Sequence, residues 1–559
     1  MINGSAPKFV YTLPRWLASA AMLAVLLSGC SSPSNPAPAA TSSTTASEAA
    51  STNQQAQSTE STAAATQQES TVYYEIFVRS FADGNGDGIG DLKGITAKLD
   101  YLKDLGVGGI WLTPINPSPS YHGYDIIDHR AINPDFGTMA DFDTLIKEAH
   151  KRNIKIIMDL VVNHTSKMNP WFIQSAKDEK SKYRSWYTWA EDQNLEPEGA
   201  SATGSGNAWR PLLGSHYLAP FSDSMPDLNF DNPEVRGEIE DIGQFWLKKG
   251  VDGFRLDAAK HIYENLQTDH NEATTAKNVA WWQEFRSKMN EVDPKAYVVG
   301  EVWEKSAASV AAYLDRAFDS GFNFGLAEQI LNAVSAEKDN NLAFTLKRTH
   351  DFYAQKSNGK FIDAVFLSNH DQNRVMSALG GDIHHARMAA SILLTLPGNP
   401  FIYYGEEIGM KGSKPDEEIR EPMQWYAAGK GIEQTTWEPA ANNSGKDAPS
   451  VEAELKDPNS LLSHYRELIT WRKQIPALQG SGIDEYTQDN GNIMAYVRTS
   501  GKDTVLVVHN LSSKEQTTTL TSSAGVPAFK SILKTTDSAS KLDGGKLLLP
   551  PYSTVIVTP

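Results

Sequence analysis

"GITAKLDYLKDLGVGGIWLT", Gly94 to Thr113, changes its period halfway along. Ile95, Leu99, Leu102 and Leu105 recur at helical spacing, Gly106 supplies a stop, and "GGIWLT" follows as an apolar strand. This helix-then-strand unit repeats along the chain. Strand-like runs recur at "VYYEIFVRSF" (72–81), "IKIIMDLVV" (154–162), "GFRLD" (253–257), "YVVGE" (297–301), near "RAFD" (316–319), "FIDAVFLSNHD" (361–371) and "PFIYYGE" (400–406). With "GGIWLT" they number eight, helical patterns lie between them, and one more helix closes the series near Leu461 to Arg472. Eight strand-helix units over about 400 residues predict an α/β chain folded as a parallel (β/α)₈ TIM barrel.

Two regions break the rhythm. Residues 163–233 are aromatic- and Gly-rich without helical period, which predicts an irregular subdomain inserted after the third strand. After Arg472, "IMAYVRTS", "TVLVVHNL" and "STVIVTP" alternate as strands and predict a C-terminal antiparallel β-sandwich. The expected division is a barrel over 72–162 and 234–473, the insertion over 163–233 and the sandwich over 474–559.

The 559 residues exceed what one hydrophobic core usually supports. A formal net charge of −17 argues against nucleic acid and anionic membrane surfaces as partners and suits a neutral ligand or cations. A monomer is expected. The single cysteine excludes an internal disulfide and has another explanation. Lys8 and Arg15 precede the apolar run "LASAAMLAVLL" (17–27) and then "SGC", the layout of an export signal, 1–29. The run is shorter than the ~20 residues of a spanning helix. "LSGC" resembles a bacterial lipoprotein signal, which implies lipidation of Cys30, a membrane anchor and a location outside the cytoplasm. Residues 30–71, mostly Ser, Thr, Ala, Gln and Pro, read as a disordered linker.

Barrel active sites sit at the C-terminal ends of the strands. Four strands end in chemistry there: Asp159, Asn163 and His164; Arg255, Asp257, Lys260 and His261; Glu301, beside Val302 and Trp303; and His370, Asp371 and Arg374. Arg255 and Asp257, two apart in a strand, point to one side, so the guanidinium is expected to lower the Asp257 pKa and hold a nucleophile ionised. The apolar neighbours of Glu301 are expected to raise its pKa, as a general acid requires. Two carboxyl groups so separated suit retaining glycoside hydrolysis, with Asp371 either stabilising the cationic transition state or holding sugar hydroxyls. Taken singly, each is also an ordinary salt-bridged strand end.

These four stretches resemble, in order and residue type, the conserved regions of the α-amylase family, glycoside hydrolase family 13, from about Val72 to the C-terminus. The resemblance implies Asp257 as nucleophile, Glu301 as acid/base and Asp371 as stabiliser. It places His164, Arg255 and His370 in the sugar subsite before the cleaved bond, with Tyr124 of "YHGYD" as the stacking aromatic and His122 and Asp125 beside it. Lys260, Trp303 and Arg374 complete the expected substrate contacts. "FADGNGDGIGDLKG" (81–94) lacks the closing Glu of an EF-hand but resembles the family's structural Ca²⁺ loop, with Asp83, Asn85, Asp87, the Ile89 carbonyl and Asp91 as ligands; a plain Asp/Gly turn is the alternative. A second family Ca²⁺ site would use Asn163, Asp227 and the His261 carbonyl. Ala258, followed by Lys260-His261, looks like α-amylases, which favours α-1,4 bonds in starch or maltooligosaccharides, whereas "MPDLN" (225–229) looks intermediate between the oligo-1,6-glucosidase and neopullulanase versions of that motif and "REPMQW" (420–425) also occurs in α-glucosidases. A glucanotransferase and a non-catalytic surface starch-binding lipoprotein are the rival functions.

Overall fold

In the computed structural model the described residues are 70–559, apart from 205, 265, 267–270, 447 and 523–526. Cys30, the signal and the linker expectation up to residue 69 lie outside them; Ser70 and Thr71, expected in the linker, instead join the barrel, where the Ser70 hydroxyl donates to the Gly398 carbonyl at 2.6 Å and the Thr71 N–H to Asn399 Oδ1 at 2.8 Å. The strands are β1 (Tyr73–Ile76), β2 (Gly109–Leu112), β3 (Lys155–Leu160), β4 (Trp209–Leu212), β5 (Ser215–Leu218), β6 (Gly253–Leu256), β7 (Tyr297–Gly300), β8 (Ser320–Gly321), β9 (Ala364–Phe366) and β10 (Asn399–Tyr403). Eight of them pair in parallel in the order β8-β7-β6-β3-β2-β1-β10-β9. A parallel bridge from Phe322 to Ala364 joins the two ends, giving the expected barrel.

The strands are buried on both faces because alternate residues face opposite ways. Tyr73, Trp111, Ile157, Tyr297, Val299 and Phe401 fill the interior, where Tyr73 stacks between Tyr297 and Phe401 at 5.2 and 4.9 Å. Tyr74, Ile110, Ile156, Phe254, Val298 and Ile402 join the larger core with the surrounding helices.

Several elements are shorter than their composition predicts. β1 stops at Ile76, and Val78–Phe81 form a helical turn before the Asp/Gly loop. The β-branched and aromatic residues continue there because the turn has its own buried contact, Phe81 against Trp425 at 5.1 Å. "GITAKLDYLKDLG" belongs to two helices, Leu92–Ala97 and Leu99–Leu105, with Gly106 closing the second at φ 100°. The sixth barrel strand lies just after "RAFD", at Ser320–Gly321.

The insertion contains a helix, Pro170–Lys177, where no helical period was expected. Its signal is the cap: the Asn169 side chain accepts from the Trp171 N–H, and Pro170 occupies the first turn. Phe172 of this helix packs on Tyr187, Trp189 and Tyr217, and the β4–β5 hairpin completes the subdomain.

The C-terminal strands are β11 (Gly482–Glu485), β12 (Ile493–Ser500), β13 (Asp503–Asn510), β14 (Gln516–Thr519), β15 (Ser531–Thr535), β16 (Lys541–Asp543), β17 (Lys546–Leu549) and β18 (Thr554–Thr558). They form antiparallel sheets β11-β12-β13-β18-β15 and β14-β17-β16. Ile493, Ala495 and Val497 face the second sheet, while Met494 and Tyr496 on the opposite face join the barrel's core. Among the described residues, no helix is long and apolar enough to cross a membrane.

Candidate active site

β6 carries Arg255 to the C-terminal rim, and the chain turns immediately after it to present Asp257. The Arg255 guanidinium is fully buried and serves three carboxylates. Nη1 meets Asp159 Oδ1 at 2.8 Å and Asp257 Oδ1 at 2.7 Å, while Nη2 meets Glu301 Oε2 at 2.8 Å. Glu301 also accepts from the Ala258 N–H at 3.1 Å. That bond holds Ala258 at φ 46°, uncommon for a residue with a Cβ.

The expected separation of pKa values is only partly present. Burial raises Glu301, as expected, with Arg255 opposing. Asp257 is also raised, not lowered: burial, with the charge of Asp371 adding, exceeds the opposing attraction of Arg255. Asp159 is pushed to about 7 by burial. Each also has a further group that favours its charge: His370 lowers Asp257 and the Ala258 N–H lowers Glu301, while the charges of Asp257 and Asp371 raise Glu301.

Asp371 sits across the opening between two cations. Its Oδ2 lies 3.2 Å from His370 Nε2 and its Oδ1 2.8 Å from Arg420 Nη2. Burial would raise it, but His370 and Arg420 more than reverse this and leave it well below the usual carboxylate range. Burial likewise opposes a charge on His370, yet Asp371 and Glu75 raise its pKa to about 10. Glu75 Oε1 stands 2.6 Å from His370 Nδ1, so the ring is an imidazolium clamped between carboxylates.

Glu75 and Arg420 were not among the expected site residues. Glu75 is signalled by a lone acid in the apolar run "VYYEIF". Arg420 belongs to "REPMQW", whose position after β10 carries no periodic cue. It donates from Nε to the His370 carbonyl at 2.9 Å and also binds Asp416 at 3.0 Å.

The expected substrate residues divide in two. Tyr124 stacks on His370 with ring centroids 5.4 Å apart, and its hydroxyl reaches Asp159 at 2.9 Å and His370 at 2.6 Å. His122 stacks on Tyr124 at 6.1 Å, and His164 Nε2 donates to the Tyr124 carbonyl at 3.0 Å. Burial lowers both histidines, His164 to about 4, so they are neutral. Trp303 is 45% exposed and stacks on Phe324 at 4.7 Å, next to the Lys260–Glu304 pair at 2.7 Å.

Two of the expected substrate residues are held by partners within the protein. Asp125 is 2% exposed and accepts from the Ser118 and Ser120 hydroxyls, which fixes the loop carrying Tyr124. Arg374 is also 2% exposed; it donates to the Tyr404 carbonyl at 2.6 Å and lies over the Tyr403 and Tyr404 rings at 4.5 Å. It supports the strand ends from behind.

The first metal loop offers three carboxylates, an amide oxygen and a carbonyl, a donor set suited to a hard cation. Here the side chains accept loop N–H groups: Asp83 from Gly86 at 2.6 Å and Gly88 at 2.7 Å, Asp87 from Ile89 at 2.8 Å, and Asp91 from Gly94 at 2.7 Å. Asp91 thereby caps the helix Leu92–Ala97. Its pKa is raised by burial first, with the charges of Asp83 and Asp87 adding. Among the described residues, no three or more acidic, histidine or cysteine side chains are gathered closely enough to hold an ion unaided. At the second location, Asn163 Nδ2 donates to Asp227 Oδ1 at 3.1 Å, and Asn163 Oδ1 is buried without a partner. That orphaned oxygen beside a buried carboxylate suits a cation.

Comparison with known proteins agrees with this geometry. Residues 75–481 match the alpha amylase catalytic domain, and residues 493–556 match the alpha-amylase SusG C-terminal domain. The sequence is 45% identical to Alpha-amylase 3 of Dictyoglomus thermophilum over 493 residues, covering 88% of this chain and 93% of that protein. It is 36% identical to an oligo-1,6-glucosidase of Parageobacillus thermoglucosidasius, covering 80% of this chain and 90% of the relative. The crystal structure of an alpha-amylase from H. orenii superposes with a TM-score of 0.80 at 43% identity, over 88% of this chain and 99% of that one. The chain belongs to the α-amylase family of glycoside hydrolases, glycoside hydrolase family 13.

Proposed function

We propose that this glycoside hydrolase cleaves α-1,4-glucosidic bonds of starch, maltodextrins or maltooligosaccharides with retention of configuration. The observation that carries the reading is the single Arg255 fork holding both Asp257 and Glu301. A fork of that size suits the ~5–5.5 Å separation of a retaining pair better than the ~6.5–9.5 Å of an inverting one. Asp257, as the carboxylate, attacks the anomeric carbon and displaces the leaving oxygen, which takes the proton of Glu301. Glu301 later takes a proton from the water that attacks the same carbon and displaces Asp257. Asp371, held ionised by His370 and Arg420, stabilises the positive charge that develops on the sugar. Tyr124 supplies a ring face for the glucosyl unit before the cleaved bond.

Mass analysis of products from soluble starch and from maltotriose tests the reading. Shorter oligosaccharides alone support hydrolysis. Longer oligomers would identify a glucanotransferase, and glucose released singly would identify an α-glucosidase. Amylose held without new reducing ends would identify a binding protein.

Calcium is proposed for the Asp83–Asp91 loop, where an ion would offset the mutual repulsion of three carboxylates. An ion bound only by the folded state stabilises by RT ln(1 + [L]/Kd), about 2.7 kcal/mol at a hundredfold excess. The melting temperature therefore rises with free Ca²⁺, and Asp87→Ala weakens that dependence while kcat at low temperature stays near wild type. Identical melting in millimolar Ca²⁺ and in chelator would leave the loop as an Asp/Gly turn.

Export and anchoring at Cys30 are proposed from the "LSGC" boundary. Cys30→Ser is expected to abolish lipid labelling and membrane partitioning. Soluble wild-type protein with another mature N-terminus would contradict this.

A further inference from the structure

At the N-terminal ends of β8, β9 and β10, on the barrel face opposite the carboxylates, a cleft of about 610 Å³ lies against the C-terminal strands. Its volume is within the ~300–1,000 Å³ of small-molecule sites. Asp363, just before β9, and His350, from the helix Leu342–Ser357, line it together with Phe361 and Ser481. Asp363 is 2% exposed and His350 8%. Asp363 Oδ2 accepts from His350 Nε2 and from Asn323 Nδ2, each at 2.9 Å. Asp363 Oδ1 and His350 Nδ1 are buried and have no partner.

The wall of the cleft therefore holds two polar atoms without a partner, a carboxylate oxygen and a ring nitrogen. A hydroxyl, which both donates and accepts, can meet either of them. The half-buried Phe361 ring, edge-on to His350 at 5.3 Å, adds an apolar face. Behind the wall, Arg472 donates to the Gly398 carbonyl at 2.6 Å and Arg498 to the Gly482 carbonyl at 2.8 Å. These buried cations fix the rim. They have no carboxylate among their hydrogen-bond partners and so disfavour a cationic ligand. In the lining, Asp363 and Asp319 stand with Lys360, so the cleft presents both signs of charge and selects for neither. A neutral, hydroxyl-rich molecule with one apolar face satisfies all of these conditions.

We propose that this cleft is a second carbohydrate site, separate from the catalytic one, that takes a short neutral glucan; the choice of glucan rests on the α-1,4-glucan reading above. The test is calorimetric titration of Asp257→Asn, in which hydrolysis is removed, with maltotriose. Two sites are expected. Adding Ser481→Trp, which fills the cleft from its exposed rim, should leave one site or weaken the second at least tenfold. Phe361→Ala should weaken it similarly, with wild-type kcat/KM of the otherwise unmutated Phe361→Ala enzyme on a chromogenic maltotrioside as the folding control. Ser481→Trp alone should hydrolyse a chromogenic maltotrioside at the wild-type kcat/KM. One site with or without the tryptophan, or two sites that it does not alter, would overturn the proposal while the α-glucan reading stands. No binding at either site would overturn both.

Discussion

Asp257→Asn is expected to reduce kcat on maltooligosaccharides by more than ~10⁴-fold, beyond the ~10²–10⁴ that a general acid or base typically contributes. The amide keeps the shape and can still accept from Arg255, so the loss isolates nucleophilicity. The melting temperature should hold or rise, because burial disfavours the Asp257 charge and Asp159 and Glu301 share its only bonded guanidinium. Glu301→Gln should behave differently. It should slow hydrolysis of maltotriose by ~10²–10⁴ but lose far less on α-maltosyl fluoride, whose leaving group needs no proton. Equal losses on the two substrates would remove Glu301 from the acid role, and Asp257→Asn within tenfold of wild type would remove the nucleophile.

Arg255→Leu is expected to destabilise the protein by about 3–5 kcal/mol at neutral pH, the cost of leaving buried ionised partners unpaired. Three carboxylates lose their shared cation. Burial then acts on Asp257 and Glu301 unopposed by Arg255, so both pKa values rise further. Asp257 must be ionised and Glu301 protonated, so both limbs of the kcat/KM profile should move to higher pH. The destabilisation should shrink as pH falls, since the raised carboxyls take up protons and the unpaired charge disappears. Denaturant melts across pH measure this; a penalty that does not change with pH would mean that packing, not charge, explains the loss.

The catalytic carboxylates were legible because three of the strands that build this rim end in an acid, and a strand end in a barrel of this kind lies on the active face. Arg255 and Asp257 were legible as a pair because alternate strand residues share a side. The direction of the Asp257 shift was not, since its burial and the charge of Asp371 beside it arise only once the strands are assembled. Arg420 was illegible for a related reason: it enters from a loop after β10, far in sequence from the His370 carbonyl that it binds. The break at Lys98 leaves the helical spacing of the leucines on either side intact, so one helix and two read alike. In the C-terminal sheet, Met494 and Tyr496 contact the barrel, which gives "IMAYVRTS" two buried faces where alternation usually signals one.

The central claim is double displacement through Asp257 with Glu301 as acid/base. ¹H NMR of a fresh digest of a maltooligosaccharide, recorded before mutarotation, tests it directly. Retention predicts that the α-anomer of the new reducing end appears first and the β-anomer grows in later. A β-anomer forming first would mean a single displacement by water and would contradict the assignment of both carboxylates.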